Sequence, residues 1–371
     1  MRHRLLLPLL ALATLLATPA AGQPQLEGAL SAALGSRALR GARIGALVVD
    51  AGDGRVLFER GADQPLVPAS NLKILTALAA LDALGPAHRF TTGVYADAPI
   101  DGNGAVKRLY LLGGGDPSLT SESWWRLAAD LRLRGLRKVE LGITYDDSAF
   151  DGVRWHPSWG KVTSRAYYAP IGALTANYGA FKVEVGPGAE PGQPVAVQLD
   201  PPVSSLRVVN GARTGARGSR ASLRVDRVAA GEVEEVRITG SLAVGGKRRP
   251  FYRSVADPGR YAAAVARMQL EANGIEVGPA LARGAVPSGA SELLVFDGRP
   301  LAEVVRLFVK YSNNGIAESL VKALGAAREG TAGSWANGRA AVGKRLVGLG
   351  LDPTAFTLVD GSGLSKRNRV A

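Results

Sequence analysis

The sequence predicts an α/β sandwich that is interrupted by a large, β-rich insertion, and three observations indicate this fold class. A short β-hairpin, at residues 42–60, leads into an apolar helix that opens at Ser70. Residues 167–250 alternate short strand-like segments with turns rich in glycine, proline and arginine. Helical periodicity returns from residue 257 onwards. We therefore expect the insertion to separate two parts of one α/β domain.

The length of the chain, 371 residues, exceeds that of one average domain, so two or three units are expected. Hydrophobic residues make up 46% of the chain, which is enough to form a core and is unlike a disordered protein. The predicted divisions are a signal peptide at 1–22, the first part of the sandwich domain at 23–90, an inserted α/β subdomain at 91–165, an inserted β-rich subdomain at 166–250, and the second part of the sandwich domain at 251–371.

The N-terminal residues have the pattern of a secretory signal peptide. A cationic start at 2–4 precedes a short apolar stretch at 5–16, and small residues follow at 18–22. We expect cleavage within a residue or two of Ala21, because the apolar stretch is too short to span a bilayer. A retained membrane anchor is the alternative that this short stretch disfavours. The mature protein is therefore expected to be exported to the periplasm or cell envelope.

The first part of the sandwich is predicted from local patterns. Before the apolar helix we expect a helix at 26–39 and two strands, at 42–50 and 55–60, around a glycine-containing turn. The apolar helix runs from Ser70 to Leu84, where Gly85 and Pro86 end it. Because apolar residues lie nearly all round this helix, we expect it to be buried in the core.

The remaining elements follow from hydrophobic periodicity and from capping residues. Thr120 is expected to cap the start of one helix, and Gly274 to end another. The predicted strands lie at 90–95, 107–112, 139–145, 181–185, 195–199, 206–209, 222–228 and 235–240. The predicted helices lie at 122–134, 257–273 and 301–309, then in a segment that ends near 324, and at 335–349.

An S-x-x-K sequence, from Ser70 to Lys73, opens the apolar helix. The two side chains are one turn apart and share a face of the helix. A hydroxyl is a poor nucleophile until a base takes its proton, and a lysine in a dry place binds its own proton less tightly and can be that base. These features indicate a serine acyl-transfer site. The motif alone leaves open a capping serine beside a lysine that reaches solvent.

A second S-x-x-K sequence, from Ser158 to Lys161, provides an internal comparison. It lies between Pro157 and Gly160 with no predicted helix to carry it, so we interpret it as a loop. The glycine run at 113–115 is likewise interpreted as a tight turn, since no Lys-Ser/Thr pair follows it as in a phosphate-binding loop.

The chain contains no cysteine and only three histidines, of which one lies in the predicted signal peptide. It therefore has no disulfide, no thiol nucleophile and no thiolate metal site. A histidine-based triad or zinc site is hard to assemble from His88 and His156. A hydrolase built from this chain needs another base, and Lys73 meets that need. We expect no cofactor and no metal.

The formal net charge is +13 and is carried mostly by arginine. Such a balance can indicate nucleic-acid binding, but the expected export argues against nucleic acid as a partner. Anionic envelope polymers or lipid head groups are the better partners. A basic, arginine-rich proteome explains the charge equally well.

An S-x-N sequence, formed by Ser312 and Asn314, lies far downstream of the S-x-x-K sequence. Its hydroxyl can pass a proton to a leaving amine, and its amide can bind both a substrate amide and Lys73. A turn or a helix cap is the structural alternative, because serine and asparagine most often play that part.

With these two motifs in this order, the chain resembles the penicillin-recognising serine hydrolases. Over essentially the whole mature chain it resembles the D-alanyl-D-alanine carboxypeptidase/endopeptidase family of low-molecular-mass, class C penicillin-binding proteins. The long insertion between the two motifs is also typical of that family. The resemblance implies a transpeptidase-like α/β sandwich. The matching stretches are Pro68–Lys73, Gly113–Pro117, Tyr311–Asn314 with Ala317 and Glu318, and Asp360–Ser365.

The resemblance also implies a role for each site residue. Ser70 is expected to be the nucleophile that becomes acylated, and Lys73 its base. Ser312 is expected to relay a proton to the leaving D-alanine, and Asn314 to hold the substrate peptide. The implied substrate is a peptidoglycan stem peptide that ends in D-Ala-D-Ala, or a D-alanyl cross-link. β-Lactam antibiotics are the implied inhibitors, which acylate the same serine.

One feature departs from the family pattern. Its members continue to a third motif, K-T-G or K-S-G, on a strand that borders the site, and none of the lysines after Asn314 begins such a triplet. We therefore expect either a fragment, with the C-terminal strands of the sheet missing, or a degenerate member, and in both cases little or no activity. Equal, Ser70-dependent penicillin labelling of this chain and of a version extended through a K-T-G segment would show the third motif to be dispensable.

Two other functions are weighed against this one. A β-lactamase would use the same Ser-Lys chemistry, but the long insertion and the Asp360–Ser365 match disfavour it. A non-catalytic, basic envelope-binding protein is favoured by the missing third motif. A comparison of the turnover of a β-lactam with that of a D-Ala-D-Ala peptide distinguishes a β-lactamase from a D-Ala-D-Ala carboxypeptidase. Retention on peptidoglycan that is unaffected by Ser70→Ala, with no acyl-enzyme formed, would favour the second.

Overall fold

The computed structural model describes residues 23–329 and 331–371, so the predicted signal peptide at 1–22 lies outside the described residues. Contacts along the backbone divide the described chain into two compact units. One consists of residues 23–66 with 369–371, and the other of residues 67–368. The domain boundaries expected from the sequence stay predictions.

Seven helices and eighteen strands make up the regular structure of the described residues. The helices are α1 (Gln23–Leu34), α2 (Leu72–Leu84), α3 (Ser121–Leu133), α4 (Pro258–Ala272), α5 (Leu301–Tyr311), α6 (Asn314–Glu329) and α7 (Trp335–Gly348). The strands are β1 (Ala46–Val49), β2 (Val56–Arg60), β3 (Arg89–Ala96), β4 (Ala105–Gly113), β5 (Lys138–Asp146), β6 (Ala180–Gly186), β7 (Ala196–Asp200), β8 (Leu206–Asn210), β9 (Arg213–Gly215), β10 (Arg224–Ala230), β11 (Val233–Thr239), β12 (Ser241–Ala243), β13 (Arg249–Ser254), β14 (Glu276–Val277), β15 (Ala280–Arg283), β16 (Ser291–Pro300), β17 (Phe356–Thr357) and β18 (Arg369–Val370).

The smaller unit is built on the antiparallel hairpin of β1 and β2, which confirms the predicted hairpin. Leu66 forms an antiparallel bridge with Val370. Helix α1 ends at Leu34 and not at residue 39, because Gly35 is a poor helix former. Residues 37–39 form a separate 3₁₀ turn.

The main sheet of the larger unit has six strands. β3 pairs antiparallel with β4 and with β16, and β5 runs parallel to β4, to β14 and to β15. Helices α3 and α4 pack together, and Leu127, Ile143 and Val265 belong to the core formed by these elements. The predicted strands at the positions of β3, β4 and β5 are confirmed, whereas β14, β15 and β16 were not predicted.

Residues 180–254 form the β-rich part of the larger unit. β13, β6 and β7 make one antiparallel sheet, while β11 pairs antiparallel with β10 and parallel with β8. Val183, Val236 and Ile238 are buried in the same core as the main sheet. The five strands predicted in this region are confirmed, and the short pair β9 and β12 and strand β13 are additional.

Helices α2, α5, α6 and α7 surround a second hydrophobic core, which includes Ala80, Phe308, Leu320 and Val342. Helix α2 ends at Gly85, whose φ of 83° is easily adopted only by glycine. Within the part of the chain that the structure describes, no helix combines the length and the apolar character needed to cross a bilayer.

The expectation that α2 is buried all round is wrong. Ile74 is 59% exposed and Leu78 is also exposed, whereas Ala79 and Ala80 are fully buried. The reason is that α2 packs on α5, α6 and α7, which cover one side of it. An apolar composition indicates that a helix tends to be buried. It does not show which other helices pack against it or which of its faces they bury.

Candidate active site

The Ser70 turn combines an exposed nucleophile candidate with a buried amine. Residues 69–71 form a 3₁₀ turn that leads directly into α2. Ser70 is exposed, whereas Lys73 is only 2% exposed. The amine of Lys73 therefore lies in the dry place that a lysine base needs, whereas the hydroxyl of Ser70 faces solvent.

Three oxygen atoms surround the amine of Lys73. Its Nζ lies 3.2 Å from Ser70 Oγ, 2.7 Å from Asn314 Oδ1 and 2.8 Å from the carbonyl oxygen of Ser362. As an ammonium, Lys73 donates to all three acceptors. As a neutral amine it keeps the two shorter hydrogen bonds and accepts the proton of the Ser70 hydroxyl along the longest. The geometry therefore suits both protonation states of a general base.

The environment of Lys73 favours loss of its proton. Burial lowers the pKa of Lys73 to about 8, and the charges of Glu318 and Asp360 oppose this decrease. A free lysine amine is rare near neutral pH because its ordinary pKa lies above 10. The buried position thus provides a useful fraction of neutral amine in the range where many hydrolases work.

Asn314 begins α6, and its amide is held from both ends. Its Nδ2 donates to the carbonyl oxygen of Tyr167 at 3.0 Å, which leaves Oδ1 to accept from Lys73. Ser312 ends α5 in the left-handed conformation, with a φ of 54°. Its side chain is exposed and accepts or donates no hydrogen bond within the described residues. The structure therefore brings Ser70, Lys73 and Asn314 together and leaves the hydroxyl of Ser312 free to face solvent.

The loop at residues 360–365 was matched to the family from the sequence, but no role was predicted for it. The carbonyl oxygen of Ser362 accepts from Lys73, and that of Gly361 accepts from Thr76 Oγ1 at 2.7 Å. Both donors lie on α2, so this loop binds the helix that carries the site. A backbone carbonyl that forms part of a site leaves no mark in the amino-acid sequence. Only the match of Asp360–Ser365 to the family indicated this position.

Gly363 lies against the residue that precedes Ser70. Its φ is 83°, and a Cβ atom at this position would overlap with the carbonyl oxygen of Ala69. Ala69 itself has a φ of 47°, in the left-handed region that non-glycine residues rarely adopt. The close packing of the two backbones therefore helps to hold the strained turn in which Ser70 lies.

Gly363→Ala is expected to lower both the stability and the rate of Ser70 acylation. The overlap with Ala69 adds about 1–3 kcal/mol to the cost of a side chain at positive φ. Gly350→Ala is the matched control, because Gly350 has a φ of 92° and open space around it. Urea unfolding and acylation by a fluorescent penicillin measure the two effects. Equal unfolding free energies for the two variants, with unchanged acylation, would contradict this assignment.

The second S-x-x-K sequence does not form a comparable site. Residues 157–159 form a one-turn 3₁₀ helix, and Ser158 Oγ lies 2.8 Å from His156 Nδ1. Lys161 is exposed. The prediction of a loop is correct except for this short turn. Among the residues that the structure describes, no group of three histidine, aspartate or glutamate side chains is placed to hold a metal ion.

Comparison with known proteins adds a family context to this geometry. The model of the D-Ala-D-Ala carboxypeptidase 3 (S13) family matches residues 26–371. A D-alanyl-D-alanine carboxypeptidase of Actinomadura sp. (strain R39) is 37% identical over 380 aligned positions, which cover 98% of this chain and 70% of that protein. The D-alanyl-D-alanine carboxypeptidase DacB of Haemophilus influenzae is 25% identical over 335 positions, covering 89% of this chain and 69% of that protein.

Solved structures show the same fold. The crystal structure of penicillin-binding protein 4 (DacB) from Haemophilus influenzae matches with a TM-score of 0.75 and 25% identity, over 88% of this chain and 72% of that one. The same protein complexed with a β-lactam matches with a TM-score of 0.69. The predicted fold class, a penicillin-binding-protein α/β fold with additional β-rich regions, is confirmed.

Proposed function

Since the chain belongs to the D-Ala-D-Ala carboxypeptidase 3 (S13) family, we propose that it removes the terminal D-alanine from peptidoglycan stem peptides through an acyl-enzyme on Ser70. The family predicted from the sequence motifs is thus confirmed, and the catalytic roles of individual residues are proposals. The observation that supports them best is the buried amine of Lys73, 3.2 Å from the exposed hydroxyl of Ser70.

The first half of the proposed reaction is acylation. Lys73 Nζ takes the proton from Ser70 as Oγ bonds to the carbonyl carbon of the penultimate D-alanine. The C–N bond to the terminal D-alanine then breaks, and the leaving amine takes up a proton. Ser312 is proposed to pass that proton on, because its free hydroxyl lies two residues before Asn314, which binds Lys73.

The second half is deacylation by water. The water oxygen bonds to the acyl carbon, the bond from that carbon to Ser70 Oγ breaks, and Oγ regains a proton. One water molecule is consumed and one D-alanine is released in each cycle. The Asn314 amide is proposed to orient the substrate peptide. A β-lactam ring would be opened by the same attack on its carbonyl carbon, which makes such compounds inhibitors of this site.

Release of D-alanine tests the proposed function. A version extended through a K-T-G segment is expected to release D-alanine from a peptide ending in D-Ala-D-Ala but no alanine from the matched peptide ending in L-Ala-L-Ala, whereas the chain without that segment is expected to release little or none. The extended version is the parent protein in the acylation and D-alanine assays. Chiral separation of the released alanine measures the D and the L product alike. Rapid turnover of a β-lactam without release of D-alanine would instead support a β-lactamase. Binding to peptidoglycan with no reaction on either compound would support a non-catalytic envelope-binding protein.

We further propose that the protein works outside the cytoplasm, in the periplasm or cell envelope, where it associates with anionic polymers or lipid head groups. The signal-peptide pattern at 1–22 supports the location. Arg217 and Arg220, which are exposed between β9 and β10, support the association because their positive charges attract anionic surfaces. A mature N-terminus near Ala21, read by mass spectrometry, and salt-sensitive binding to anionic vesicles would bear out these two proposals.

A further inference from the structure

Glu318 lies on α6, one turn after Asn314, and is completely buried. Its carboxylate accepts four hydrogen bonds. Oε1 accepts from the N–H of Ser362 at 2.8 Å, and both oxygens accept from the N–H of Gly361, at 3.1 and 3.0 Å. Oε2 also accepts from the indole N–H of Trp335 at 2.7 Å. The acidic side chain is thus fully satisfied by donors that are themselves buried.

Through these bonds Glu318 is connected to the base. Ser362 donates its N–H to Glu318 and accepts from Lys73 with its own carbonyl oxygen, at 2.8 Å in both cases. The preceding residue is fixed in the same way, because the N–H of Gly361 donates to Glu318 and its carbonyl oxygen accepts from Thr76. The loop therefore lies between the carboxylate on one side and α2 on the other.

Asp360 has a different set of partners. It accepts from the N–H groups of Gly363 and Ser365, from the amide of Asn368 and from the indole of Trp159. Three of these four donors belong to the loop and its end, so Asp360 mainly folds the loop upon itself. Glu318 is the carboxylate that joins the loop to α6, the helix that also carries Asn314.

We propose that Glu318 is a positioning residue for Lys73, which holds the Ser362 carbonyl in place and supplies a buried negative charge behind it. This inference rests on the proposed function of Lys73 as a base, and it gives a role to a residue that the sequence match included without one. An ordinary core would not keep a carboxylate in this position, because an ionised acid is costly to bury even when it is hydrogen-bonded.

The charge of Glu318 is expected to act on the amine. The acids that face Lys73 are Glu318 from α6 and Asp360 from the loop, and both raise the pKa of Lys73 against the effect of burial. Burial and the charge of Asp360 raise the pKa of Glu318 to about 7. At the higher pH where Lys73 loses its proton, Glu318 is therefore mostly ionised and able to hold that proton on the amine.

The test is the titration of Lys73 in the parent protein and in Glu318→Gln. Protein labelled with ¹³C-lysine gives a Lys73 Cε resonance, which is identified by its absence in Lys73→Met. We expect the midpoint of its titration to fall by about one pH unit in Glu318→Gln, because a nearby opposite charge is lost. The pH at which penicillin acylation reaches half its maximal rate is expected to fall by the same amount.

Two further variants separate this role from a structural one. Glu234→Gln removes another buried acid, which pairs with Arg227 and is not among the charges that act on Lys73, so it should leave the Lys73 midpoint unchanged. Trp335→Phe removes one donor to Glu318 but keeps a ring, so it should shift the midpoint in the same direction by a smaller amount. It takes the place of Glu318→Gln if that variant does not fold.

An unchanged Lys73 midpoint in a folded Glu318→Gln or Trp335→Phe variant would overturn the inference, as would an equal shift in Glu234→Gln. The NMR titration does not depend on catalysis. If penicillin never acylates Ser70 in the parent protein, the proposed function fails, whereas the titration still decides the role of Glu318.

Discussion

Ser70→Ala abolishes covalent labelling by penicillin and release of D-alanine, according to the proposed mechanism. The methyl group of alanine has no atom that can form the ester, and no other hydroxyl is bonded to the amine of Lys73 among the described residues. Mass spectrometry of the intact protein is expected to show one added penicillin on the parent chain and none on the variant. Peptide mapping of the parent chain should locate the adduct on Ser70.

Ser158→Ala is the matched control for this experiment, since Ser158 begins another S-x-x-K sequence of the chain. Its hydroxyl contacts His156 and its lysine is exposed, so labelling should remain at the parent level. An adduct that survives Ser70→Ala, or one that disappears with Ser158→Ala, would contradict the assignment of the nucleophile.

Lys73→Met is expected to slow acylation of Ser70 by about 10²–10⁴-fold, the usual contribution of a positioned general base. Methionine fills much of the same buried volume but cannot accept a proton. Stopped-flow acylation with a fluorescent penicillin measures the loss. An acylation rate within tenfold of the parent would show that another group activates Ser70.

Thermal unfolding of Lys73→Met controls for damage to the fold. Two effects of the change oppose each other. Removing a buried amine relieves its desolvation, whereas Asn314 Oδ1 and the Ser362 carbonyl lose their donor. A folded variant with a small change in midpoint temperature would tie the lost activity to the missing base. The Ser70 hydroxyl should still be accessible in this variant, because Ser70 is exposed whereas Lys73 is buried.

The sequence allowed prediction of those parts of the fold that depend on local chemistry. Gly85 ends α2 because a left-handed residue is needed there, and Thr120 precedes α3 as an N-cap residue. The spacing of Ser70 and Lys73 along one helix face is likewise local. Such features involve residues close in the chain, so their geometry follows from the repeat of a helix or a turn.

The features that escaped prediction depend on distant neighbours. The exposure of Ile74 is decided by which helices cover α2, and composition does not contain that information. The bond between Glu318 and Ser362 joins a mid-helix acid to a loop peptide, and nothing in either segment specifies the other. Strand β16 had a usable signal, because buried Leu294 and Phe296 alternate with exposed neighbours, but that signal is short.

The bonds around Lys73 join segments that are far apart in the chain, since its partners Asn314 and Ser362 lie 241 and 289 residues downstream. A growing polypeptide on the ribosome therefore carries Ser70 long before it can carry the carbonyl that holds the amine. The reacting pair takes on its geometry only when almost all of the 371 residues have been made. Before that stage the nascent chain contains the proposed nucleophile but not the groups that contact its proposed base, so the proposed site is assembled only late in synthesis.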